Sequence, residues 1–288
     1  MPAATTESNE VSQKSPFAGC AILIAAVAVM LFLIIFSVTV LFRQYNEIAK
    51  FTAEEPEPLA IENLENRESE LNALAEKLEA FRQSVTDGET AALELNADEI
   101  NLAIAAYEPF KDLRGTFRVS EITPEALRAK ISFQLNGKPR LAKEGETGWM
   151  ASDPRYLNAT MITVPGLLQK EVILQIRHIL VEGAEVAPQF EEQMSPYRIA
   201  ERYIGTEGIG TVMEQLTTVE LDEGVIRFVK TKGEVPADTV TNEQVDVASK
   251  RFFTFFGIAA CIFLLFAGTV IFVSLRLKKS RDVGVSES

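Results

Sequence analysis

The sequence predicts an α+β outer domain, with helices on a mostly antiparallel sheet, set between two transmembrane helices. Three observations predict it. Two charge-free apolar runs lie near the ends of the 288-residue chain. Between them the hydrophobic period changes from helical to alternating, and turn residues cut the alternating part into short strands.

Residues 1–16, rich in Ser, Thr, Glu and Ala, read as a disordered cytoplasmic tail. Residues 17–42 contain no Asp, Glu, Lys, Arg, Asn or Gln, and sixteen of them are Leu, Ile, Val or Phe. At about −0.3 to −0.6 kcal/mol each, those sixteen favour insertion by about 5 to 10 kcal/mol. The run exceeds the ~20 residues that cross a hydrocarbon core. It is also too long for the apolar stretch of a cleaved signal, and Arg43-Gln44-Tyr45 follows it where a small-residue cleavage site would stand. An uncleaved anchor is expected.

Residues 252–275 form the second span, and the basic tail 276–288 follows with Arg276, Lys278, Lys279 and Arg281. These cations place both termini in the cytoplasm and the centre of the chain outside a cytoplasmic (inner) membrane. Small residues recur along both spans: Ala21, Ala25 and Ala28 in the first, Gly257, Ala260, Ala267 and Ser274 in the second. Such stripes let helices approach closely, so they form a candidate helix-packing face, for each other or for a partner's helix.

Residues 43–92 read as an acidic linker and an amphipathic stalk helix. Glu54-Glu55-Pro56-Glu57-Pro58 is stiff and acidic, and Leu64, Leu71, Leu74, Leu78 and Phe81 then form a narrow seam. That seam suits packing on the chain's own domain or a short coiled coil that joins two copies. Thr86-Asp87-Gly88 ends the helix.

The α+β domain is expected over 93–232. Asn96 and Glu99 are spaced as a capping box for a helix that buries Ile100, Ala103, Ile104 and Tyr107. Phe117 and Val119, then Ile131, Phe133 and Leu135, alternate as strands, and Asn136-Gly137 signals a tight turn. Leu157, Ala159, Met161 and Thr163 alternate before Pro165-Gly166. Val172–Val181, apolar on both sides, is expected as a central strand. Ser195-Pro196 reads as a helix start, and Asp222-Glu223-Gly224 joins two strands of a final hairpin. Residues 233–251 connect to the second span.

Residues 43–250 hold 22 of the 28 basic and 37 of the 41 acidic residues, leaving that region fifteen charges negative. Such a surface repels polyanions, so no nucleic-acid partner is expected. Both cysteines, Cys20 and Cys261, lie in the apolar runs, and His178 is the only histidine. Nucleophile–histidine and zinc sites therefore lack partners, and no catalytic residue, metal or cofactor is assigned. Gly205-Thr206-Glu207-Gly208-Ile209-Gly210 follows a helical pattern with no Gly-Lys-Ser/Thr, which points to a flexible break and away from a phosphate loop. Acid pairs such as Glu191-Glu192 and Asp222-Glu223 read as solvated surface. Asn158-Ala159-Thr160 matches a glycosylation sequon but falls within a strand.

Leu95-Asn96-Ala97-Asp98-Glu99-Ile100-Asn101 resembles the helix opening of YpmS-like bacterial membrane-anchored extracytoplasmic domains, and Val164-Pro165-Gly166-Leu167-Leu168 has a similar character. The resemblance implies a bacterial cell-envelope protein that binds an apolar ligand or a partner. The expectation is a non-enzymatic two-pass protein whose domain binds an envelope protein or a lipid-like ligand. Its other partners are the lipid bilayer and a second copy joined through the stalk helix or the spans. The alternatives are a carboxylate-dependent hydrolase of envelope glycans, and a sensor or accessory subunit of a membrane complex.

Overall fold

A computed structural model describes residues 16–239, together with Gly257, Cys261, Leu265, Gly268, Thr269 and Phe272. The chain divides into two units, one comprising Met1–Arg43 and Phe252–Ser288, the other Gln44–Arg251. Helix α1 runs over Pro16–Ile48. Among the described residues it is the one helix long and apolar enough to cross a membrane. The six described positions of the second run are helical.

The Gln44–Arg251 unit is α+β, with two antiparallel sheets where the sequence suggested one. Strands β2 (Phe117–Ile122), β3 (Leu127–Leu141), β4 (Met150–Leu168) and β5 (Glu171–Leu180) form a four-stranded meander in that order. Strands β1 (Ala91–Asn96), β6 (Thr218–Asp222) and β7 (Val225–Lys230) form the other sheet, in the order β1-β7-β6. Helices α2 (Glu68–Thr86) and α3 (Ala97–Ala106) pack against β1, and the short helices α4 (Pro188–Met194) and α5 (Ile209–Met213) complete the unit. Leu74, Leu102, Val119, Ile131, Leu157, Met161 and Ile226 belong to one continuous core.

The capping box closes as expected: Asn96 Oδ1 accepts from Glu99 N at 2.9 Å, and Glu99 Oε2 accepts from Asn96 N at 2.9 Å. Of the seam on α2, Leu74 and Phe81 are buried, as is Val85 a turn later, while Leu71 and Leu78 pack against the same core. The unit thus starts well before residue 93, and the expected stalk is part of the domain. The acidic segment before α2 is also laced down. Asn158 Oδ1 accepts from Glu57 N at 3.1 Å, Asn158 Nδ2 donates to Glu55 O at 3.1 Å, and Ala53 exchanges backbone bonds with Tyr156 at 2.8 Å each way.

Four other local expectations change. No turn forms at Asn136-Gly137; β3 continues to Leu141 with a bulge between Asn136 and Pro139. Gly137 serves close approach instead, since a Cβ there would lie 2.3 Å from the Asp153 carbonyl oxygen. Gly137→Ala is therefore expected to open this pairing at a cost of about 1–3 kcal/mol. Faster amide exchange at Arg140 and Leu141, with unchanged exchange at Ile131, is the measurement that checks it.

β4 passes through Pro165 to Leu168. Thr163 is its last residue opposite β3, so the missing proline N–H leaves no ladder bond unmade. The chain then reverses in two residues, Gln169 and Lys170, at φ 51° and 67°. β5 is a terminal strand, not a central one. Its edge is nevertheless occupied: Leu174 exchanges backbone bonds with Tyr197, Ile176 N donates to Ser195 Oγ at 3.1 Å, and Ile179 N donates to Glu191 Oε1 at 2.7 Å. Ser195-Pro196 accordingly follows a helix instead of starting one, because Tyr197 is drawn onto that edge.

Candidate functional site

His178 is exposed on β5. Ile162 pairs with His178 and Thr163 with Ile176, so Arg177 is looped out and the alternation of faces reverses. The histidine meets no metal cluster, and among the described residues no group of His, Cys, Asp and Glu could hold one. The glycine-rich segment is a tight connection: Gly205 and Gly208 have φ of 71° and 86°, and a Cβ on Gly210 would lie 2.2 Å from the Tyr203 carbonyl oxygen. Glu191 caps the β5 edge, and Asp222-Glu223 sits in the β6–β7 turn. The Asn158 carboxamide is consumed in the lacing described above and by Ser132 Oγ, which donates to it at 2.8 Å. Of the candidate helix-packing residues, Ala21, Ala25 and Ala28 lie on α1 and Gly257 is helical; Ala28 and Gly257 are exposed. Ala260, Ala267 and Ser274 lie outside the described residues.

One carboxyl is enclosed. Glu171, at the start of β5, is 0% exposed, and its Oε1 accepts from the Arg198 guanidinium, which also meets Glu201 Oε1 at 3.0 Å. Burial pushes the Glu171 carboxyl above the usual carboxylate range while Arg198 pulls it back. Its Oε2 has no partner. Enclosed and paired with Arg198, it forms a structural ion pair at the β4–β5 end of the sheet.

The most exposed chemistry lies at the other end of the sheet. Beyond the pair Leu135–Arg155, β3 and β4 continue as a two-stranded arm to the pair Leu141–Met150. Six residues of β3, one of them extra at the bulge, run beside five of β4, which makes it about 17 Å long. At its tip Trp149 is 77% exposed, Leu141 75% and Met150 47%. Trp149 is the only tryptophan in the chain.

The arm is built to hold this tip still. The Arg140 guanidinium grips Glu146 through two bonds of 2.7 Å and Asp153 through a third of 2.7 Å. Glu146 also accepts from Lys143 N at 2.6 Å, which folds the loop between the strands. Arg140, with help from the Lys143 amide, holds the Glu146 carboxyl down at about 2, so the clamp stays ionised through the ordinary acid range. At the foot, Arg155 Nε donates to Thr52 Oγ1 at 2.7 Å, and its Nη2 donates to the carbonyls of Thr52 and, at 3.3 Å, Ala49. The foot is thereby tied to the residues that follow α1. Residues 136–155 carry four basic and three acidic side chains, in contrast to the acid excess of the whole region.

The two best-formed depressions are open ones. The larger, 490 Å³, lies on one face of α1; the other, 420 Å³, lies between Glu47, Lys50 and Phe51 and the residues Gly183–Pro188. Neither is an enclosed apolar chamber. No protein-family profile, curated protein or solved structure matches the chain.

Sequence patterning alone did not single out the arm. The signal present was Trp149-Met150 directly after the polar loop Lys143-Glu144-Gly145-Glu146-Thr147-Gly148, an aromatic where a hairpin tip would be hydrophilic.

Proposed function

We propose that the chain is a non-enzymatic two-pass membrane protein that presents its Gln44–Arg251 unit outside the cytoplasm for binding, with the β3–β4 arm as the binding element. One observation carries the reading: three large apolar side chains are held in water at the end of an arm whose geometry is fixed by a three-bond arginine clamp. A rigid, solvent-facing apolar tip costs free energy unless something covers it, and such patches mark interaction sites. Neither depression is an enclosed chamber, which favours a partner met at the surface over a lipid-like ligand swallowed by the domain. The α2 seam is occupied by the domain itself, so self-association would run through the apolar runs.

Glycan hydrolysis has less support. It needs two acids across an open cleft, one of them with a raised pKa. Among the described residues the carboxyl pushed upward is Glu171, and it is fully enclosed.

Topology is tested with Glu144→Cys and Ser286→Cys in separate chains, labelled by a membrane-impermeant maleimide. Glu144→Cys is expected to label in intact cells and Ser286→Cys only after permeabilisation. The reverse pattern would refute the orientation.

A further inference from the structure

We propose that the arm tip rests in the interfacial layer of the same bilayer that the apolar runs cross, with Trp149, Leu141 and Met150 as the immersed side chains. This rests on the reading that the runs span a membrane. Three observations support it.

The first is chemical. Tryptophan prefers the headgroup level, where its ring meets hydrocarbon and its N–H meets water. Leu141 and Met150 are directly paired across the arm, and Trp149 adjoins them. A protein partner would have to supply a matching pocket; a bilayer needs none.

The second is position. The foot is bonded to Ala49, Thr52 and Ala53, one to five residues beyond the end of α1. The last turn of α1 and Phe51 meet the loop that follows β5, where Glu47 and Lys50 line the same depression as Gly183–Pro188. Thr160 pairs with Leu180, the last residue of β5, so this is the end of the sheet from which the arm projects.

The third is charge. A region fifteen charges negative would be repelled by anionic headgroups, whereas residues 136–154 carry three bases and three acids and are neutral.

The single tryptophan makes the test direct. The full chain is reconstituted in phosphatidylcholine vesicles, and Trp149 emission is read with acrylamide in the water or with lipids brominated at shallow or deep acyl positions. Immersion predicts a blue-shifted emission that shallow bromine quenches more than deep bromine, with little loss to acrylamide. Leu141→Ser with Met150→Ser should weaken bromolipid quenching. Loss of emission to acrylamide, with none to bromolipid, overturns the proposal. So does shielding from both quenchers, which would point to a protein surface as the occupant. Release of the chain from vesicles at alkaline pH would bring down the spanning reading and the proposal together. A chain that stays embedded with an acrylamide-open tryptophan brings down the proposal alone.

Discussion

Replacing Asn101 by Leu is expected to destabilise the domain by about 2–4 kcal/mol, because it strips two buried backbone groups of their partners at once. Asn101 lies on α3 and is buried, and its carboxamide acts as a one-residue strand. Asn101 Nδ2 donates to Val119 O at 2.8 Å, and Asn101 Oδ1 accepts from Val119 N at 2.9 Å. Val119 sits on β2, whose other side pairs with β3, so these are the groups a further strand would take. Leucine matches the volume but offers neither donor nor acceptor. For a domain of this size the loss corresponds to a fall in melting temperature of roughly 5–15 °C, readable by circular dichroism on the full chain in detergent. Asn101→Asp keeps the acceptor, loses the donor and adds a charge, so its deficit should shrink on acidification, when the carboxyl regains a proton to donate. An Asn101→Leu protein that melts with its parent would show that this contact carries no weight.

Arg198→Ala is expected to cost about 3–5 kcal/mol, because it leaves the enclosed Glu171 charge without its counter-ion. The sign of the pH dependence follows from the direction of the shift. Burial holds the folded-state pKa of Glu171 above its unfolded value, so the folded state binds its proton more readily. Stability from this group therefore rises as pH falls through the folded pKa, and levels off below the unfolded value, about 4.3. Removing Arg198 deletes the interaction that opposes burial, so the gain on acidification should be larger in the variant than in the parent. Comparing the two melting curves across pH cancels the carboxyls that Arg198 does not touch, including Glu146, whose depressed pKa acts in the opposite sense. Glu171→Gln placed on Arg198→Ala should recover much of the loss. Equal pH slopes for variant and parent would refute the account.

The readable parts of this fold are those in which local chemistry and tertiary packing agree. The capping box at Asn96 and Glu99, the α2 seam from Leu71 to Phe81 and the hairpin around Gly224 all satisfy their own backbone before any distant contact forms. The missed parts are those in which a distant neighbour decides. Ala91–Asn96 is a strand although Ala, Glu and Asn favour other states, because β7 pairs with its whole length and Leu93 and Leu95 reach the core. Gly137 looked like a turn residue, but the strand opposite needs its missing side chain. Gln169 and Lys170 carry no turn signal, and they make the turn because Leu168 and Glu171 are paired on either side. Strict alternation from Ile176 would put His178 on the apolar side of β5, and the looped-out Arg177 turns it to the exposed one, which no period-two pattern can anticipate. The arm combines two of these effects, since its bulge and clamp join residues up to eighteen positions apart and leave Trp149 outside.

The lacing of Ala53, Glu55 and Glu57 onto Tyr156 and Asn158 has a mechanical consequence. A tether of this length would ordinarily work as a swivel, absorbing any rotation of the helix before it reached the sheet. Stitched at three of its own residues to Tyr156 and Asn158, and stiffened by Pro56 and Pro58, it has no slack to absorb it. A pull on Thr52 or Ala53 would pass directly into β4 at Tyr156, and through Arg155 into the root of the arm.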